Sequence, residues 1–345
     1  MPVFQAVRPW SRALSVHQGK GLTRGSAMLG ALMEGVESHH AEIFEGERII
    51  AAFDDLPPFA RAPALSDFAG SEAQAPDTSA RLAWTRATRL ITDAELMVPF
   101  EFVCLDCTYE REPWIDKSSV GLAAHFDRRE AITSAIYEVI ERDAEWAWRR
   151  QPVHKRTLHS VQPASPPFGW FQSLYEDIRR AGLRLTLYQA PAVISLPVFI
   201  CEIVERGAGH VARQLVYGSG AHAEPETALL RSVVEAVQSR VTVIAGVRDD
   251  IFYPDRASGP GESIGMGIPM PPGMQPLCWD EATANFRSTG IVTPLDLALL
   301  LARAGYPDTA IVDLSRENMD AQVVKAVCPG LGSIDRRRRM TGGYQ

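Results

Sequence analysis

Residues 19–42 read GKGLTRGSAMLGALMEGVESHHAE: a glycine-flanked lysine, then an apolar helical run interrupted by Glu34 and Glu37. The same frame returns twice. Residues 121–148 read GLAAHFDRREAITSAIYEVIERDAEWAW, with Glu138 and Glu141, and residues 218–241 read GSGAHAEPETALLRSVVEAVQSRV, with Glu235 and Gln238. In the second and third copies an Ala-His pair, Ala124-His125 and Ala221-His222, stands at the same distance before the first glutamate. The apolar positions of SAMLGALMEGVESH, EAITSAIYEVIERD and TALLRSVVEAVQSR superimpose, which predicts three helices of roughly four turns each, at 3.6 residues per turn.

In each helix the polar pair is three residues apart, a spacing that places both side chains on one face. Ionised carboxylates among Met, Leu, Ile and Val are costly to bury unless a cation or a partner compensates them. Three such helices facing one another would gather Glu34, Glu37, Glu138, Glu141 and Glu235. Magnesium suits that set, because it takes carboxylate oxygens and shares its shell with substrate phosphates. Arg142, beside Glu141, and Arg231, one turn before Glu235, offer planar forks for phosphate oxygens. Spacing alone equally allows three amphipathic surface helices whose glutamates pair with nearby arginines.

Elsewhere the pattern alternates between strands and helices. Residues 182–188 (GLRLTLY) and 198–204 (VFICEIV) read as strands, as does 310–314 (AIVDL). Thr293-Pro294 reads as cap and first turn of a helix over Leu295–Ala304, stopped by Gly305. The mixture predicts an α/β or α+β fold. Leu56–Ser79, Gln151–Gly169 and Asp255–Pro276 are rich in Pro, Gly, Ala or Ser and are expected to hold neither helix nor central strand. Cys104 and Cys107 form a lone C-x-x-C in a stretch (VPFEFVCLDCTYE) that alternates like a strand, so both are expected to be buried and structural rather than zinc ligands. Trp146, Trp148, Trp170 and Phe171 read as core or interface packing.

The 345-residue chain carries 35 Lys and Arg against 42 Asp and Glu, a formal charge of −7, which argues against a nucleic-acid binder. No apolar run approaches the roughly 18 residues that span a bilayer. MPVFQAVRPW is no signal peptide, and five cysteines make no disulfide framework, so a cytoplasmic location is expected. Arg336–Arg339 lie in a polar tail, expected to be solvated over 333–345.

The three motifs, taken in order, resemble the ATP-binding helical motifs of the YcaO superfamily, and the ending VVKAVCPGLG resembles that of the subgroup associated with TfuA proteins. The resemblance runs from about residue 2 to 332. It implies a YcaO-type fold with mixed sheets and a cluster of helices carrying the ATP and Mg2+ site, a single catalytic domain over 1–332, and a homodimer. It implies an ATP-dependent enzyme in which a sulfide, thiol or hydroxyl attacks a peptide amide and the resulting oxyanion is phosphorylated. Loss of phosphate then gives a thioamide (favoured) or an azoline in a ribosomally made peptide or protein, with a TfuA-like partner. Such chemistry needs positioning and charge neutralisation rather than a protein nucleophile.

By position, Glu34, Glu37, Glu138, Glu141 and Glu235 would hold magnesium or orient the nucleotide, and Arg142 and Arg231 would meet phosphates. Gln238 closes the third motif, as a ligand or as packing. Lys20 either approaches a phosphate or is solvated. His125 and His222 are expected to cap or hydrogen-bond rather than catalyse. The chain departs from the family pattern at Gly30, where serine is usual, at Val120, where an asparagine is common, and ahead of MPVFQAVRP, where longer members carry a further segment. These departures would suit the alternative, a degenerate scaffold that binds peptide or a partner without ATP turnover.

Overall fold

In the computed structural model the described residues are 1–69, 74–108, 112–205, 215–246, 273–286 and 292–331. The chain opens with strands β1 (Val3–Val7) and β2 (Val16–Lys20), which pair with each other, and helix α1 (Arg24–Glu42) follows. Strands β3 (Ile49–Ala52), β4 (Arg81–Arg89) and β5 (Glu95–Pro99) lead through one helical turn, α2 (Phe100–Val103), to β6 (Leu122–His125) and the long helix α3 (Arg128–Arg150). Then come α4 (Val153–Thr157), β7 (Ser160–Val161), α5 (Gly169–Arg180), β8 (Leu183–Gln189), β9 (Val198–Glu205), β10 (Leu215–Ala221) and α6 (Pro225–Ala245). The described chain closes with α7 (Trp279–Thr283), α8 (Pro294–Arg303), β11 (Ala310–Asp313) and β12 (Gln322–Val327). This is the mixed α+β fold the sequence predicts.

The described residues group into two compact units, each assembled from separate stretches: 1–6, 18–31 and 147–289 form the first, and 7–17, 32–146 and 290–345 the second. The first holds a four-stranded antiparallel sheet in the order β10-β9-β8-β7. One face of it, through Leu185, Leu187, Phe199, Cys201 and Ile203, packs into a core with Phe171 of α5 and Leu229 and Val233 of α6. Glycine makes the closest part of that packing possible. A β-carbon on Gly218 would lie 2.2 Å from Ala236 N, and one on Gly220 would lie 2.3 Å from Ala228 O. Gly19 of β2 backs onto α1 in the same way, 1.9 Å from Ala27 O. Gly19, Gly218 and Gly220, which precede two of the acidic helices in sequence, therefore lie against the backbones of those helices.

The second unit is built on a six-stranded antiparallel sheet in the order β3-β4-β11-β12-β6, with β5 paired to β4. Its core gathers Phe68, Trp84, Leu96, Val98, Val312, Val323 and Val327, with Ala41 of α1.

Two local expectations need correction. The C-x-x-C stretch is not a continuous strand. β5 ends at Pro99, which has no N–H to continue a ladder, and the chain turns through α2. Cys104 is buried there as expected, but Cys107 is exposed. The proline-rich Gln151–Gly169 does hold regular structure: α4 starts directly after Pro152, and β7 lies at the sheet edge. Residues 58–60 and 65–68 of the first irregular segment form only short 3₁₀ turns. Most of Asp255–Pro276 and the tail 333–345 lie outside the described residues. No described helix is long and apolar enough to cross a membrane.

Candidate functional site

The three predicted helices are α1, α3 and α6, and the candidate residues divide between the units. In the second unit, Glu34 and Glu37 project from α1, and Glu138, Glu141 and Arg142 from α3. The Ala124 N–H of β6 donates to Glu37 Oε1 at 2.8 Å, and the Gly121 N–H donates to Glu138 Oε2 at 3.2 Å. Two backbone amides, one just before β6 and one within it, thus hold one carboxylate from each helix. Burial drives the Glu37 carboxyl well above its ordinary value. The Ala124 hydrogen bond opposes this, and the neighbouring charges of Glu138 and Glu34 reinforce it. These three carboxylates therefore share one patch of like charge.

Arg142 lies among acids of its own helix, 3.0 Å from Glu145, 3.6 Å from Glu141 and 3.9 Å from Glu138. Glu145 is buried and was not singled out in the sequence, although it falls one turn beyond Glu141 on the same face. Arg142 is thus held by carboxylates within its helix, a preset orientation for a planar fork.

In the first unit, Lys20 at the end of β2 pairs with Glu235 of α6 at 3.4 Å. The Gln238 amide donates from Nε2 to the Gln18 carbonyl at 2.8 Å, and the Thr242 hydroxyl, one turn on, bonds the Gln18 side chain. Gln18, Gln238 and Thr242 are all buried. Gln18 and Thr242 carried no sequence signal beyond being polar in apolar surroundings. Arg231 donates to the Ala221 carbonyl at 3.1 Å, at the turn into α6.

The two histidines repeat a common local geometry. His125 Nδ1 accepts from the Asp127 N–H and His222 Nδ1 from the Glu224 N–H, each at 3.0 Å. Each orders the turn that enters an acidic helix. Burial lowers the His222 value, and Arg231 adds to this. The aromatic residues do not form one group. Phe171 is in the first unit's core, whereas Trp148 packs on Tyr188 with ring centroids 4.8 Å apart. Tyr188 points away from the face that Leu187 buries, because successive strand side chains alternate.

Among the described residues no three His, Cys, Asp or Glu side chains form a ready metal cage. Magnesium does not require one, since it is commonly held by one or two carboxylates with the remaining positions left to water and phosphate. The donor set fits such an ion. Glu37 and its neighbours Glu138 and Glu34 offer hard oxygen donors, and ionisation of Glu37 is costly there until a cation arrives.

Solved structures share this fold of antiparallel sheets and helices. A heterocyclase in complex with substrate and cofactor superposes with a TM-score of 0.75 at 18% identity, over 96% of this chain and 49% of that one. The chain spans about half the length of that heterocyclase. The YcaO protein of Methanopyrus kandleri, bound with AMPPCP and Mg2+, superposes with a TM-score of 0.67 at 20% identity, over 100% of this chain and 89% of that one. A protein encoded in the tfuA 3' region of Rhizobium leguminosarum bv. trifolii is 32% identical over 96% of this chain and 80% of its own length.

The model of the family described as YcaO cyclodehydratase, ATP- and Mg2+-binding, matches residues 18–332. The chain belongs to the YcaO family, whose members are ATP-dependent and bind Mg2+.

Proposed function

We propose that this protein activates backbone amides of a peptide or protein by ATP-dependent phosphorylation of the amide oxygen, with a thioamide as the favoured product and an azoline as the second. The observation that carries this reading is the patch of Glu34, Glu37 and Glu138, in which the burial of Glu37 and repulsion from its two neighbours make a divalent cation the natural partner. The Rhizobium relative from the tfuA region supports thioamide over azoline, and supports a TfuA-like protein as the partner that helps deliver sulfur. A homodimer is the expected assembly.

Bound as Mg–ATP, the nucleotide would supply the phosphoryl group that turns the amide oxygen into a leaving group. Within the second unit Glu37 and Glu138, held by the Ala124 and Gly121 amides, would hold magnesium, with Glu34 and Glu141 completing or orienting its shell; Glu235, in the first unit, is a further carboxylate of the same kind. Arg142 in the second unit and Arg231 in the first each offer a planar fork that would neutralise phosphate charge, the largest contribution a protein makes to phosphoryl transfer. In the first unit Lys20 would become available to a phosphate through exchange of its ion pair with Glu235. Gln238 acts by packing, through Gln18.

Calorimetric titration with AMPPCP, with and without Mg2+, tests this on wild type and on Glu138→Gln. Binding that requires both the metal and Glu138 is expected. Absence of binding at millimolar nucleotide would favour the scaffold that recognises peptide without using ATP.

A further inference from the structure

β12 reads QVVKAV, and its lysine is the one charged residue in an apolar strand. Lys325 is 1% exposed, as deeply buried as the valines beside it. An ammonium is among the costliest groups to place there, so its contacts must compensate it. Among them, Nζ donates to the Ser118 carbonyl at 2.5 Å and sits over the ring of Phe102, 5.2 Å from the centroid.

Ser118 opens the turn that leads into β6, and β12 holds both ends of that turn. Its side chain at 325 takes the Ser118 carbonyl, and the next backbone N–H, Ala326, donates to the Gly121 carbonyl at 2.8 Å. Between them the Leu122 N–H closes on the Ser119 carbonyl at 2.9 Å. Gly121 has φ +80°, and a β-carbon there would lie 2.5 Å from Ala326 O, so the turn has little freedom to move. From this turn Gly121 presents its N–H to Glu138, and three residues on Ala124 presents its N–H to Glu37.

We infer that Lys325 is a positioning residue: by clamping the Ser118 carbonyl it fixes the backbone amides that orient Glu138 and Glu37. The inference rests on the proposed function for its consequence, but not for its geometry. A purely structural lysine would be replaceable by an apolar side chain of similar length, because buried charges often add nothing to stability over such a replacement. A positioning lysine would not be replaceable without loosening the turn.

The test is hydrogen exchange over residues 117–125, paired with AMPPCP–Mg2+ titration, on wild type, Lys325→Met and Lys325→Arg. Lys325→Met is expected to keep its secondary structure and lose protection over 117–125. Its Mg2+-dependent affinity should fall by about tenfold or more, the usual effect of removing a group that orients metal ligands. Lys325→Arg, which keeps a donor, should recover much of both. A folded Lys325→Met with wild-type protection and affinity overturns the inference. Should Lys325→Met not fold, Lys325→Gln, with a shorter donor, is read by the same two measurements. Failure of the wild type to bind AMPPCP would count against the proposed function alone, because the exchange measurement needs no nucleotide and still decides the role of Lys325.

Discussion

The backbone N–H of Ala124 donates to the carboxylate of Glu37 at 2.8 Å, joining a strand from one motif to the acidic helix of another, 87 positions away in sequence. That bond favours the charged form of a carboxyl that burial and the charges of Glu138 and Glu34 push toward the neutral form, and the neutralising influences win. The residue most central to the proposed metal site is thus one whose charge is costly without a cation.

This relationship fixes a pH dependence. Because the folded-state value of Glu37 lies above its unfolded value, its contribution favours the fold fully below the unfolded value. That contribution is lost as pH rises through the folded value. Glu37→Gln removes the titration, so without Mg2+ the variant should gain stability relative to wild type as pH rises across that window. The same change should lower Mg2+-dependent nucleotide affinity by about 10–100-fold. Thermal melts at a series of pH values check the first part, and wild-type and variant curves that stay parallel would refute it.

Gln238 is expected to act through stability first. Its amide donates to the buried Gln18 carbonyl, so Gln238→Ala leaves that acceptor without this donor at a cost of about 1–3 kcal/mol. Thr242→Val, which removes the bond to the same Gln18 from the next turn, should destabilise in the same direction. Chemical denaturation measures both. A Gln238→Ala protein as stable as wild type, but with weakened nucleotide binding, would make Gln238 a ligand instead.

The helices were legible in sequence because three apolar runs share one period, and the period needs no knowledge of the partner surface. Other features were not legible, because they depend on distant chain. Nothing local reveals that β2 and β10 press glycines against helix backbones, although the repeated glycines hinted at it. Gln18 becomes meaningful only beside Gln238 and Thr242, more than 200 residues later. The alternation in FEFVCLDC continues past Pro99, where the strand has to end, and so it points Cys107 inward when the chain leaves it exposed. Glu145 was readable on its helix face, and Lys325 from its apolar neighbours.

A second pH-linked element lies at the C-terminal end of α1. Burial would raise the Glu42 carboxyl, but Arg8, Ser11 and the Arg12 N–H outweigh it and hold its value below the ordinary one. Its contribution is therefore present above the unfolded value and lost as pH falls through the folded value. Arg8→Ala leaves a carboxylate that is 1% exposed without its guanidinium, 2.6 Å away in the wild type. The expected cost is about 3 kcal/mol near neutral pH, and smaller in acid. Equilibrium unfolding at two pH values checks it, and a cost that does not shrink in acid would point to lost packing of Arg8 rather than lost charge.

The departure from the family pattern at Gly30 can be tested by reversing it. A β-carbon at Gly30 would meet nothing closer than 3.4 Å, the Gly19 Cα, and the Lys20 backbone beyond it at 3.8 Å. A serine there fits, and replacing a mid-helix glycine should gain about half a kcal/mol from helix propensity. Gly19, on the facing strand, is the opposite case. Its β-carbon would lie 1.9 Å from Ala27 O and 2.1 Å from Ala31 N, backbone atoms that cannot move aside. Gly19→Ala should therefore destabilise by about 3 kcal/mol, whereas Gly30→Ser should melt at or above the wild-type temperature. If Gly30→Ser also binds AMPPCP–Mg2+ at least as tightly as wild type, the glycine is a tolerated substitution in a working site. If it unfolds the protein, the close approach of β2 to α1 at this level is tighter than the glycine geometry indicates.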